Sequence, residues 1–133
     1  RKPSLIKPNI HELEELTGRP LRTQAEILQA AQQLLDGGIE CVIVSMGADG
    51  AIFMDARERM LATPPSVPVV STVGAGDAMV SGTVAGKIRQ LPLAECARLA
   101  TAFSLCAISR VGAGLPDAAT LQKFQEHVVI TAL

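Results

Sequence analysis

Apolar positions follow two rhythms along the chain. From Asn9 onward, Ile10, Leu13 and Leu16 recur at helical spacing, and Gly18 supplies a stop. Thr23 reads as the N-cap of a second helix over 25–35, with Ile27, Leu28, Ala31, Leu34 and Leu35 on its apolar face and Gly37-Gly38 at its end. The run Cys41-Val42-Ile43-Val44 then breaks the helical rhythm. A short, continuous β-branched run is the pattern of a strand buried on both faces, as in a parallel sheet covered by helices. A further strand is predicted over 51–54, after the turn residues Gly47-Ala48-Asp49-Gly50, and another turn over 55–59. Short strands over 60–62 and 67–70 flank Pro64-Pro65, and the rest of the chain reads as helices over 76–89, 93–109 and 117–129. At the start, Leu5-Ile6 is a short apolar stretch that closes on Lys7-Pro8, where Pro8 favours an extended Lys7. The order is β-α-α-β-β-β-β-α-α-α, which predicts an α/β fold in one domain over 1–133. No repeat or long linker divides it.

Composition narrows the class of function. Hydrophobic residues make up 48% of the 133 positions and charged residues 19%, with a net charge of −1. That balance excludes a disordered chain. It also lacks the clustered positive charge of a nucleic-acid surface. No apolar run reaches the length of a membrane span. The three aromatics are Phe53, Phe103 and Phe124, so an aliphatic core is predicted and base-stacking platforms are not. Cys41, Cys96 and Cys106 stand far apart and are odd in number, which predicts buried, reduced thiols and a reducing, cytoplasmic compartment. The chain opens on Arg1 with no signal-peptide pattern after it, so either an N-terminal piece has been removed or the chain is part of a longer protein.

Three segments carry candidate chemistry. The first is Ser71-Thr72-Val73-Gly74-Ala75-Gly76-Asp77, which opens a predicted helix. Small residues let a ligand approach the backbone, and amides at a helix start favour an anion. Asp77 in the same turn is suited to taking a proton from an attacking hydroxyl. Read structurally, Asp77 only complements the helix dipole. The segment is neither a P-loop nor a dinucleotide fingerprint. The second is Lys7-Pro8-Asn9 with Glu12, which on spacing alone is a capping box. The third is Ser45-Met46-Gly47-Ala48-Asp49-Gly50, either a ligand loop beyond a strand end or a tight hairpin turn.

Together, and in this order along the chain, the three segments resemble the ribokinase-like sugar kinases, the phosphofructokinase B-type family. The resemblance covers essentially the whole chain but only the C-terminal part of the family fold, a three-layer α/β/α architecture whose lid and N-terminal half are absent here. It implies Asp77 as the catalytic base that also holds the sugar hydroxyl, and Gly74, Ala75 and Gly76 as the anion hole for the γ-phosphoryl group. Asn9 and Glu12 would organise Mg²⁺, largely through water and phosphate, and Lys7 and Asn9 would contact the nucleotide. Ser45, Gly47, Ala48, Asp49 and Gly50 would run along the ATP phosphates and ribose. Ser71 and Val73 match one side of a monovalent-cation (K⁺) site, with 107–114 as the other side.

Ser71 and Met79 stand where sugar-kinase members carry Asp and Phe, which points to the phosphosugar branch. Its members act on fructose 1-phosphate, fructose 6-phosphate or tagatose 6-phosphate. The segments Pro65-Ser66-Val67-Pro68-Val69-Val70 and Leu99-Ala100-Thr101-Ala102 resemble the first of these most. The implied partners are a small phosphosugar and, in a complete protein, a second copy through the lid. No nucleic acid or membrane is implied. An isolated nucleotide-binding module without turnover is the alternative of another class, and a flavodoxin-like regulatory domain is a third reading. Arg19, Arg22 and Arg89 are local candidates for gripping the substrate's phosphate, with solvated surface as the plainer reading of each.

Overall fold

A computed structural model describes residues 4–109 and 117–133. The elements in chain order are β1 (Leu5–Ile6), α1 (Ile10–Thr17), α2 (Gln24–Asp36), β2 (Cys41–Ser45), a 3-10 turn (Gly47–Asp49), β3 (Ala51–Asp55), β4 (Arg59–Thr63), α3 (Ala75–Ile88), α4 (Leu93–Ser109), α5 (Ala118–His127) and β5 (Val129–Ala132). The strands form one mixed sheet in the order β1-β2-β3-β4-β5. β1 pairs parallel with β2, and β2 pairs antiparallel with β3. Residues 1–61 with 132–133 form one compact unit, and 62–131 a second.

In the first unit, α1, α2 and the loop between them bring Leu13, Leu21, Ile27, Ala30 and Ala31 onto Val42, Val44, Ile52 and Met54. The alternate residues of the same strands, Cys41, Ile43, Ala51 and Phe53, are buried as well. Both faces of β2 and β3 are therefore covered, as the β-branched run predicts, but the expected parallel pairing holds only between β1 and β2, because β2 and β3 are joined by a tight hairpin and pair antiparallel. Phe53 is fully buried, so the core is aliphatic with one aromatic exception.

The caps explain where the helices begin and end. Asn9 Oδ1 accepts the Glu12 N–H at 2.8 Å while Glu12 Oε1 accepts the Asn9 N–H at 2.9 Å, a complete capping box. Gly18 closes α1 in the left-handed conformation. Thr23 Oγ1 accepts the Glu26 N–H at the start of α2.

The second unit is built on α3 and α4. Gly82 faces the backbone of Leu99 and Ala100, and Gly86 faces Cys96, so the two helices run antiparallel at close range. α5 packs on α4. The Arg98 guanidinium donates to the Val128 carbonyl at 2.6 Å, just before β5.

Two expectations fail. The segment 67–70 is not a strand. Pro64, Pro65 and Pro68 have no N–H to give a ladder, and Val69 and Val70 stay exposed. The last predicted helix ends at His127 rather than 129, because Val129–Ala132 is a strand. That strand was not predicted. All three cysteines are buried thiols outside any disulfide, as expected.

Candidate functional site

The site residues fall into two groups, one in each unit. The first group stands beyond the C-terminal ends of two adjacent parallel strands. Leu5 pairs with Cys41 and Ile6 with Val42, and the ladder extends to an isolated Asn9–Ser45 bridge. The Ser45 N–H donates to the Pro8 carbonyl at 3.0 Å. The loops carrying Lys7, Asn9 and Glu12 on one side, and Ser45 to Gly50 on the other, thus leave the sheet together. Crevices beyond strand ends are where open α/β sheets take ligands.

Within the second loop the Met46 N–H donates to the Gly50 carbonyl at 2.8 Å and the Gly50 N–H to the Gly47 carbonyl at 3.1 Å. Gly47, Ala48 and Asp49 are exposed and Gly50 is buried. The tight hairpin turn and the ligand-loop position therefore coexist, because the turn sits at a strand end. Asn9 and Glu12 are likewise a capping box and a pair of exposed oxygen-bearing side chains at once.

The second group is the turn leading into α3. Gly74 is its N-cap at φ 83, a left-handed backbone that favours glycine. Among the described residues no side chain caps this helix. The Ala75 N–H donates to the Thr72 carbonyl at 3.3 Å and the Ala78 N–H to the Gly74 carbonyl at 2.9 Å. Among the described residues, the N–H groups of Gly74, Gly76 and Asp77 meet no protein acceptor. Three donors at the positive end of a 14-residue helix suit an anion. Asp77 is exposed in the first turn.

Upstream, the Val70 and Ser71 N–H groups both donate to the Ile108 carbonyl, at 2.7 and 3.2 Å. The Val73 N–H donates to Ser71 Oγ at 3.1 Å. Ile108 lies in the segment 107–114 that the resemblance sets opposite Ser71 and Val73, but the hydrogen bonds from Val70 and Ser71 to its carbonyl were not expected, because only the tertiary fold brings that carbonyl to residue 70. Of the segment 107–114 expected to face Ser71 and Val73, residues 110–114 lie outside the described residues. Arg19, Arg22 and Arg89 are exposed, which fits solvated surface.

The donor types fit the groups the resemblance implies. Amides at a helix start match phosphate oxygens, and Asn9 and Glu12 offer the hard oxygen ligands that Mg²⁺ prefers. Among the described residues no cluster of three or more His, Cys, Asp or Glu side chains could hold a metal. No helix of the described residues is long and apolar enough to cross a membrane.

Comparison with solved structures gives the class. The chain superposes on phosphofructokinase-2 from Escherichia coli, solved in complex with substrates and products, with a TM-score of 0.86. The two are 33% identical over 92% of this chain and 40% of that one. The same E. coli protein has also been solved with potassium. Ribokinase from Thermotoga maritima shares the fold at a TM-score of 0.78 and 24% identity. The architecture is that of a ribokinase-like kinase. Residues 1–121 match the pfkB family carbohydrate kinase model, and the chain belongs to that family. A curated relative, 1-phosphofructokinase from Rhodobacter capsulatus, is 44% identical over 132 residues, which is 99% of this chain and 42% of the relative. The chain thus spans about two fifths of the length of the curated relatives it matches.

Proposed function

We propose that this chain is the ATP-binding and catalytic portion of a phosphosugar kinase that converts fructose 1-phosphate and ATP to fructose 1,6-bisphosphate and ADP. The observation that carries the reading is the start of α3, where unpaired amides and Asp77 share one turn. Asp77 takes the proton from the sugar hydroxyl as that oxygen bonds to the γ-phosphorus and the bond to the ADP oxygen breaks. Within the 74–76 anion hole, the unpaired Gly74 and Gly76 amides face the negative charge that spreads over the transferring group, while the Ala75 amide is held by the Thr72 carbonyl. Lys7 and Asn9 contact the nucleotide, and Ser45 and 47–50 line its phosphates and ribose. Asn9 and Glu12 organise Mg²⁺, which neutralises phosphate charge when bound. The Ser71 and Val73 carbonyls offer one side of a K⁺ site, a reading supported by the potassium complex of E. coli phosphofructokinase-2.

Fructose 1-phosphate is favoured over fructose 6-phosphate and tagatose 6-phosphate by the 44% identity to a 1-phosphofructokinase. Identity to phosphofructokinase-2 is 33%. The complete protein is read as a cytoplasmic homodimer. Because the chain spans 42% of that relative, we read it as binding nucleotide by itself without turnover.

The test is a chimera that joins this chain to the remainder of the Rhodobacter relative. It should phosphorylate fructose 1-phosphate, and Asp77→Asn should lower kcat by about 10²–10⁴-fold while leaving MgATP binding in place. A loss within tenfold would reject Asp77 as the base. Calorimetry on the 133-residue chain should show MgATP binding, and a coupled assay no ADP release; turnover would reject the module reading of the chain alone.

A further inference from the structure

The turn before α3 is held at two places. Upstream, the Ile108 carbonyl takes the Val70 and Ser71 N–H groups. Downstream, Thr72 and Gly74 carbonyls take the Ala75 and Ala78 N–H groups. Between these holds lies the peptide of Val73, whose residue is 84% exposed and has no packing to fix it. Its N–H is tied by one bond, to Ser71 Oγ at 3.1 Å.

We propose that Ser71 is the positioning residue of the anion-binding turn, its hydroxyl oxygen fixing the turn by accepting the Val73 N–H. This inference rests on the anion-hole reading of 74–76 and adds a residue to it. The role belongs to the side chain and is separate from any use of the Ser71 carbonyl by a cation.

The chemistry follows from which donors are tied and which are left. With Ser71 in place, the amides of 70, 71, 73 and 75 are committed to protein acceptors, and those of Gly74, Gly76 and Asp77 remain for a ligand. Gly74 then sits at φ 83, where glycine has little intrinsic preference for one conformation over another. Without the hydroxyl, the Thr72–Val73 peptide keeps only the 3.3 Å bond from the Ala75 N–H to its carbonyl, and Gly74 is freer to change conformation with it. The donors then have to be ordered when the anion binds, which weakens affinity. Thr at this position keeps a γ-hydroxyl and the bond; Ala does not.

The 133-residue chain, labelled with ¹⁵N, is titrated with inorganic phosphate. In the wild type the Gly76 and Asp77 amide signals should move, and the Val73 amide should exchange slowly with solvent. Ser71→Ala should weaken phosphate binding about fivefold, the factor for one ordinary hydrogen bond. It should also free the Val73 amide to exchange while leaving the unfolding midpoint in place. Ser71→Thr should restore both readouts.

Unchanged phosphate affinity in Ser71→Ala overturns the positioning role and leaves the anion hole standing. No movement of Gly76 and Asp77 in the wild type overturns the anion hole, and the positioning role with it. Fast exchange of the Val73 amide in the wild type overturns the positioning role without any variant, even if Ser71→Ala does not fold.

Discussion

Gly74 and Gly82 are required for opposite reasons. At Gly74 an added Cβ would meet nothing within 4 Å, but φ is 83. At Gly82 the backbone is helical, and an added Cβ would lie 2.6 Å from the Ala100 Cα. The first position is limited by conformation and the second by space. We expect Gly74→Ala to cost about 1–2 kcal/mol, the penalty of left-handed backbone for an L-residue. Gly82→Ala should cost about 1–3 kcal/mol from overpacking against backbone that cannot move aside. The order on going to Asn separates the two causes. Asn tolerates the left-handed region, so Gly74→Asn should be milder than Gly74→Ala. Gly82→Asn should be worse than Gly82→Ala. Urea unfolding of the four variants checks this, and the same order at both positions would refute it. The small residues at 74–76 were legible as a place for close approach. Gly82 and Gly86 were not, because their partners Ala100 and Cys96 lie on another helix. Ser71 was legible as a departure from the family pattern, but the Ser71 Oγ bond to the Val73 N–H requires the folded turn.

Between elements, the α3–α4 contact places a titratable group where water is scarce. Cys96 is 1% exposed against Gly86. Burial raises its thiol pKa above the ordinary value, Lys87 opposes the rise and Glu95 adds to it. A raised pKa means that the folded state holds the proton more tightly than the unfolded chain does. The stabilisation is full below the unfolded thiol value, about 8.5, and is lost as pH rises through the higher folded value. Unfolding free energy should therefore decline from about pH 8.5 upward. Cys96→Ala should flatten that decline, whatever it does to stability at pH 7. Parallel pH slopes for the two proteins would refute the assignment. The same scale shows where periodicity reads well and where it fails. Helices with both caps in the sequence, such as α1 between Asn9 and Gly18, emerged close to their observed bounds. The segment 67–70 looked like a strand by its valines alone, and its prolines overruled them. β5 was hidden because its β-branched residues directly follow a helix with no Gly or Pro between.

At the level of the whole molecule, the two units differ in how much apolar surface they leave uncovered. The first buries both faces of β2 and β3 and exposes one large hydrophobic residue among those described, Leu16. The second exposes Val69, Val70, Val73, Val84, Ile88 and Val129. Ile88 is 77% exposed on α3, a helix whose apolar residues run nearly all round. Helices of that kind are ordinarily covered. Replacing Val84 and Ile88 together with Lys should reduce binding of a hydrophobic dye and self-association without lowering the unfolding midpoint. A lowered midpoint would mean that these side chains are packed in solution. The α/β class and the three site segments were legible from order and spacing. Their division between two units was not, since a compact unit is defined by contacts between residues distant in the chain. The β2–β3 pairing also sets a timetable for folding. All five of its partner pairs, from Cys41–Asp55 to Ser45–Ala51, lie within one short hairpin. The parallel pairing of Leu5 with Cys41 waits on both α1 and α2. Hairpins close in about 1–10 μs, whereas contacts across long stretches of chain must first overcome loop entropy. The hairpin is thus the early event, and the strand end that carries Lys7, Asn9 and Glu12 is laid against it late.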